Sequence, residues 1–484
     1  MPSGYPENMW PQLQSYVQLI LISLFFPILI GAILIRSRRS KSDGPPTPPS
    51  LPLIGHLHLL SPLPHRSFHN LSSRYGPILK LFLGSLPCVI ASTPDAAKHF
   101  LKTHESSFSD RFPNAAIHHL SYGSQGFLFR AYGPHWKFMK KLCMTRLLEA
   151  REVVDNRDNP LTLTNRIISR MIMSRTSSGN DEEAQDIRQL VTDTTELRFN
   201  LRGVDKRVKE IQERFDALIE GVMKGHEEER RKRKEVGEGG QFRDLLYILL
   251  DIHEDENSKI KLTKHSIKAF VLDLFMAGTD TSAITTEWAL AELINHPHVM
   301  EKARQEIESV IGNTRIVEES DIANLPYLQA IVKETLRIHP TAPLVGRLSN
   351  ENCNVGGYEI PAKTLLFVNL WSIGRDPNYW EDPLEFRPER FMSEEGSRVD
   401  LRGQHFELIS FGSGRRMCPG ASLALLVVQT NLAAMIQCFD WKVNGGNQCV
   451  SMEEKPAMTL PRAHPLLCLP LPRLHPFPST FQAD

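Results

Sequence analysis

The chain begins with a run that contains no charged side chain, residues 13–35, LQSYVQLILISLFFPILIGAILI. A helix rising ~1.5 Å per residue crosses the ~30 Å hydrocarbon layer in about 20 residues. Pro27 and Gly31 suit a membrane helix better than a soluble one. No Lys or Arg precedes the run, whereas Arg36, Arg38, Arg39 and Lys41 follow it. The asymmetry predicts one transmembrane anchor with its N-terminus lumenal and everything after it cytosolic. A cleaved signal peptide fits less well, because the apolar stretch is too long and the charges lie on the wrong side. Residues 44–55, GPPTPPSLPLIG, hold five prolines and predict a stiff, extended connector.

Beyond residue 55 the apolar positions recur mostly with helical spacing. The pattern predicts helices over 206–235, 264–295, 298–311 and 326–338. Alternating β-formers around Gly84–Ser85 predict a hairpin over 79–93, and residues 355–369 read as another. The charged, then glycine-rich run 226–240 reads as a solvated helix end and an exposed loop. Residues 268–294 are apolar on most of their helical circumference, yet their centre holds Gly278, Thr279, Asp280, Thr281 and Ser282. A buried carboxylate with hydroxyls is costly unless it has partners or a task. The expected division is an anchor with its basic stop over 1–43, a Pro-rich hinge over 44–55, and a cytosolic body over 56–484. That body is mainly α with small β-sheets.

Composition narrows the function. Hydrophobic residues make up 41% and charged residues 23%, which excludes a disordered chain, a collagen-like fibre and a polytopic membrane protein. Lys+Arg and Asp+Glu both number 56. A zero balance argues against nucleic acid as a partner. The seven cysteines are an odd count without a C-x-x-C pair, so a zinc cage or disulfide framework does not fit, and a reducing compartment does.

The densest chemical signal is FGSGRRMCPG, residues 411–420, with Phe411, Gly414, Arg416, Cys418 and Gly420 at the spacing F-x-x-G-x-R-x-C-x-G. Glycines let such a turn close tightly and aim backbone N–H groups at a thiolate. The apolar helix predicted at SLALLVVQTNLAAMI would bring a positive helix start to the sulfur. Arg416 supplies a cation for an acidic cofactor group.

On these residues the chain resembles the cytochrome P-450 superfamily of haem-thiolate monooxygenases over nearly its whole length. The resemblance implies that haem b, iron protoporphyrin IX, is held by Cys418 as axial thiolate. It implies a buried cluster of Glu334 and Arg337 (KETLRIHP) with Arg390 (FRPERF). Trp136 and Lys140 in WKFMK would bind a haem propionate, with Arg347 as a further propionate ligand. AGTDTS, residues 277–282, matches the family's oxygen-binding segment: Ala277 and Gly278 would form a helix bulge, and Asp280 and Thr281 would relay protons. Electrons would come from NADPH through a flavoprotein reductase, docked on a basic face of Lys137, Lys140, Lys141, Arg415 and Arg416. The expected location is the endoplasmic reticulum membrane.

The passages LPLIGHLHLL, FHNLSSRYGPI, WKFMKKLCMT, NLPYLQAIVKETLRIHPT and LTLPRAHPLLCLPLPRL are similar to plant type-two flavone synthases and flavanone 2-hydroxylases. The substrate so implied is a flavanone, oxidised at C2 to a flavone or 2-hydroxyflavanone. Hydroxylation of another flavonoid or of a pterocarpan is the alternative. A third reading is a haem protein of weak activity, because the chain is shorter than these relatives between Trp136 and Asp280, around REVVDNRDNPLTLTNRI and TELRFNLRGVDKR. Met417, Arg130 and Leu348 also depart from the pattern: relatives usually have glycine, an apolar residue and an acid there.

Overall fold

One helix, Lys264–Asn295, runs buried through the middle of the protein and joins its two main hydrophobic cores. The computed structural model describes residues 16–20, 23, 25–26, 44–112, 115–147, 167–169, 171–172, 181–195, 206–236, 244–443 and 449–474. The helices of nine residues or more are α1 Pro64–Tyr75, α2 Pro134–Leu142, α3 Asp181–Thr195, α4 Lys206–Val236, α5 Leu245–Glu254, α6 Lys264–Asn295, α7 Pro297–Ile311, α8 Pro326–Ile338 and α9 Ala421–Cys438. The four helical spans expected from periodicity all occur, within two residues at each end.

Local chemistry fixes the helix ends. The Thr263 hydroxyl accepts the Ser266 N–H at 3.0 Å and starts α6. The Asp244 carboxylate accepts the Tyr247 N–H at 2.7 Å to start α5, and also meets His226 of α4 at 2.9 Å. Pro64, Pro134, Pro297 and Pro326 open their helices, where a missing N–H costs nothing. Gly312, at φ 76°, closes α7.

The main sheet sets Ile78–Leu83 (β1), Leu86–Ala91 (β2), Leu365–Asn369 (β6) and Leu344–Leu348 (β3) side by side in that order. Strands β1 Ile78–Leu83 and β2 Leu86–Ala91 form the expected hairpin. The reading of 355–369 as a single hairpin is corrected. The hairpin joins β4 Cys353–Val355 to β5 Tyr358–Ile360, and its turn is Gly356–Gly357, at φ 61° and 86°. Strand β6, Leu365–Asn369, leaves for the main sheet, where it pairs parallel with β2 and antiparallel with β3, Leu344–Leu348. The glycine pair can turn only the strands beside it, and Pro361 interrupts the ladder behind them. A last hairpin pairs β7 Phe439–Val443 with β8 Cys468–Pro472.

The first core packs α6 against α2, α3, α4 and α5, and the second packs its other half against α7, α8 and α9. Among the described residues only α9 is long and apolar enough to cross a membrane, and most of it is buried in the second core. The expected anchor over 13–35 and the two shortened passages lie largely outside the described residues. Of the anchor, residues 16–20, 23 and 25–26 are helical, with Tyr16, Leu19, Phe25 and Phe26 exposed.

Candidate active site

The turn that carries Cys418 is built from its own backbone. The Cys418 N–H donates to the Phe411 carbonyl at 3.0 Å, and the Met417 N–H to the Gly414 carbonyl at 3.0 Å. Gly412 and Gly414, at φ 74° and 70°, occupy the left-handed region that side chains avoid. A Cβ on Gly414 would also fall on the Glu105 carboxylate, which accepts the Arg415 N–H. The Gly420 backbone lies beside the Cys418 sulfur and opposes the rise of its pKa, and α9 begins at the next residue.

Cys418 lies deep in the body, yet its side chain keeps open surface. Ala277 likewise has open surface in mid-α6, between buried Met276 and Thr279, and Thr281 one turn on is half-buried. Open surface on groups inside the body marks an interior space bounded by α6 and the Cys418 turn. Burial pushes the Cys418 thiol up; the Gly420 N–H, Arg111 and Lys140 oppose this without cancelling it. A metal cation at the sulfur is what such a site needs to hold a thiolate.

Three arginines lie within electrostatic reach of one another nearby, Arg347 and Arg416 buried and Arg111 half-buried. Arg347 of β3 is 3% exposed, and its pKa is driven well down by burial, then by Arg111 and Arg416. Arg416 falls to about 10, again from burial and then Arg111. It donates to the carbonyls of Ser109 at 2.8 Å and Arg130 at 2.6 Å and lies 4.4 Å from the Trp136 ring centre. Buried Nη1 of Arg416 and Nε of Arg111 have no partner among the described residues. Clustered cations with donors left over call for an anion. The two carboxylates of a haem would answer that demand, with the open sulfur of the turn beside them.

The remaining expected ligands are placed differently. Trp136 is buried and stacks on Phe127, centroids 5.4 Å apart. The Lys140 ammonium donates to the Arg415 carbonyl at 2.6 Å and so braces the cysteine turn. Arg416 is only 7% exposed, which corrects its assignment to a surface for the reductase; Lys137, Lys141 and Arg415 are exposed. Helix α6 runs through Ala277 and Gly278 as unbroken α-helix, so the expected bulge is absent. A Cβ on Gly278 would come within 2.5 Å of the tip of the Ile168 side chain, which would have to move aside.

The Thr281 hydroxyl donates to the Ala277 carbonyl at 2.6 Å, and Asp280 accepts from Thr459 at 3.0 Å. Glu334 of α8 accepts from Arg337 at 2.7 and 2.8 Å, from Arg390 at 2.9 Å and from the Arg387 N–H at 2.8 Å. Arg337 also donates to the Gly374, Pro383 and Glu385 carbonyls, so the cluster ties α8 to the 374–390 segment. Of the departures, Leu348 packs in the apolar cluster of Phe68 and Leu81, and the Arg130 guanidinium reaches the Gln125 carbonyl at 3.4 Å. Sequence reasoning missed Arg111, which follows Asp110 in a segment without periodicity. It also missed Asp273, whose carboxylate accepts the Phe127 and Leu128 N–H groups at 2.5 and 2.8 Å. Burial raises the Asp273 pKa to about 6 against those bonds and Arg111.

The chain belongs to the cytochrome P450 family, whose pattern it matches over residues 45–197 and 180–469. It is a monooxygenase that holds haem by a thiolate and takes electrons derived from NADPH through a reductase. It is 54% identical over 506 aligned residues to the 3,9-dihydroxypterocarpan 6A-monooxygenase of Glycine max, covering 96% of this chain and 99% of that one. It is 43% identical to the 2-hydroxyisoflavanone synthase of Glycyrrhiza echinata, covering 96% and 100%. The first alignment is longer than the 484-residue chain, so that relative has residues with no counterpart here. A zebra fish cytochrome P450 solved with abiraterone shares the fold at TM-score 0.71 and 24% identity, over 85% of this chain and all of that one.

Proposed function

We propose that this monooxygenase oxidises a C–H bond of a flat, polycyclic phenol of the flavonoid type, with a pterocarpan hydroxylated at carbon 6a as the preferred substrate. The observation that carries the substrate class is the 54% identity, nearly end to end, with a relative named for that reaction, against 43% for the one named for 2-hydroxyisoflavanone. Ala277, with open surface in mid-α6, presents only a methyl group on that side of the helix. Oxidation of a flavanone at C2 is the second reading, favoured by the flavone-synthase-like passages in the sequence.

Bound haem supplies activation of O2; the chain's own residues do the rest. Cys418 holds the iron. Arg347, Arg416 and Arg111 hold the carboxylates, with Trp136 packed against Arg416. Lys140 braces the cysteine turn. Asp280 and Thr281 pass protons into the space, through a carboxylate and a hydroxyl one residue apart. Glu334, Arg337 and Arg390 keep α8 registered on the segment before the cysteine turn. Exposed Lys137, Lys141 and Arg415 offer an acidic reductase domain its landing surface.

The run 13–35 and the basic residues after it support a single anchor in the endoplasmic reticulum, with 44–55 as a hinge and 56–484 as the cytosolic catalytic domain. The test is product analysis with NADPH and reductase, offering 3,9-dihydroxypterocarpan and the flavanone naringenin in parallel. A 6a-hydroxylated product supports the first reading. A flavone or 2-hydroxyflavanone formed instead moves the assignment to the second, and no product from either overturns the substrate class.

A further inference from the structure

Asp280 sits in the middle of α6, and its carboxylate Oδ2 accepts the hydroxyl hydrogen of Thr459 at 3.0 Å. Thr459 comes 179 residues later in the chain and is 8% exposed. A threonine hydroxyl has one hydrogen to give, and here it goes to this carboxylate.

The donor's segment is itself held through the following residue. The next residue, Leu460, receives the Trp288 indole N–H at its carbonyl, 2.7 Å, and gives its own N–H to the Thr341 carbonyl, 2.9 Å. The hydroxyls of Thr341 and Thr285 lie 2.7 Å apart, and Thr285 donates to the Thr281 carbonyl at 2.9 Å. One network therefore fixes the 459–460 segment against α6, and it returns to the helix at the residue after Asp280. Trp288 is fully buried, so the frame that carries the Thr459 hydroxyl is rigid.

We propose that Thr459 is a positioning residue for Asp280, its hydroxyl fixing the carboxylate in the orientation from which it delivers protons to the space near Cys418. A hydroxyl donor held on a rigid frame narrows the rotations open to a carboxylate, and a misplaced proton donor loses efficiency steeply. The proposal rests on the reading of Asp280 as a proton relay and adds the residue that aims it. A merely structural role, tying the C-terminal segment to α6, would stabilise the fold and leave proton transfer alone.

The experiment uses full-length, haem-loaded protein with reductase and NADPH, as wild type, T459V, T459S, D280N and T459V/D280N. Valine keeps the shape of threonine and removes the hydroxyl; serine keeps the hydroxyl. The first readout is the solvent deuterium isotope effect on NADPH oxidation, which uncoupled turnover also shows, so the right substrate is not required. The second is the thermal unfolding midpoint of all five proteins. T459V is expected to change the isotope effect in the same direction as D280N and to slow NADPH oxidation by about 3–10-fold. T459S is expected to behave as wild type. T459V is expected to add nothing to the isotope effect in the D280N background, but to lower the unfolding midpoint there as in wild type, because the asparagine amide oxygen still accepts the Thr459 hydroxyl hydrogen. If D280N shifts the isotope effect and T459V does not, the role of Thr459 is overturned and that of Asp280 stands. If D280N itself matches wild type, the relay reading falls and this proposal with it.

Discussion

Glu334 and Arg337 form an ion pair at 2.7 Å with neither side chain exposed. Such a pair, cut off from water, is costly to break from one side, because the partner is left charged and buried. Arg337→Ala is expected to cost about 3–5 kcal/mol of stability. The check is the urea midpoint of the haem-loaded protein, together with the fraction recovered folded. A variant as stable as wild type would show that the cluster does not hold α8 in place.

The arginine cluster should reveal itself by opposite signs in two states. Without haem, Arg347, Arg416 and Arg111 repel one another, so Arg347→Met is expected to leave the haem-free protein as stable or more so. With haem, the same change removes a cation that holds a carboxylate. Haem should dissociate faster, by about tenfold for roughly 1.4 kcal/mol lost. The comparison is of unfolding midpoints with and without haem, alongside haem transfer to an acceptor protein.

Acid should unfold the protein through two defined carboxylates. Burial alone would raise the pKa of Glu292, but hydrogen bonds from His296 and His339 outweigh it and hold the group at about 2. Glu454 behaves alike: burial raises it, while His65, Arg66 and Trp371 bring it down to about 2. Both pKa values are below the unfolded 4.5, so the stability these groups supply is complete above that value and is lost as pH falls through about 2. Unfolding midpoints measured from pH 7 to pH 3 should hold level above about pH 5 and then drop. Glu454→Gln should be less stable at pH 7 and show a shallower acid slope.

Charge on the cysteine-turn side should govern electron delivery. Lys137 and Lys141 are exposed on α2, and reversing both to Glu should slow reductase-supported NADPH oxidation at low salt, with the gap closing as salt rises. Carbon monoxide binding to the chemically reduced protein should be unchanged.

Much of this was legible in the chain. The periodicity of 206–236 and 264–295 is uninterrupted and long, so those helices stand out without tertiary information. The spacing around Cys418 locates its turn because glycines there have no substitute. What escaped depends on distance along the chain. The Asp280–Thr459 bond and the grouping of Arg111 with Arg347 join residues that no local pattern connects. The 355–369 strands were misjoined because a strand records its own alternation but not its partner. The bulge expected at Gly278 depends on the backbone path of a long helix, which the spacing of side chains does not record.

Every role assigned above depends on Cys418 holding haem iron through its sulfur. The direct measurement is the carbon monoxide difference spectrum of the reduced full-length protein, beside that of Cys418→Ala. Wild type should show the red-shifted Soret band that thiolate ligation produces, and the variant should lose it. The same band in Cys418→Ala, or its absence from folded, haem-loaded wild type, would contradict the account.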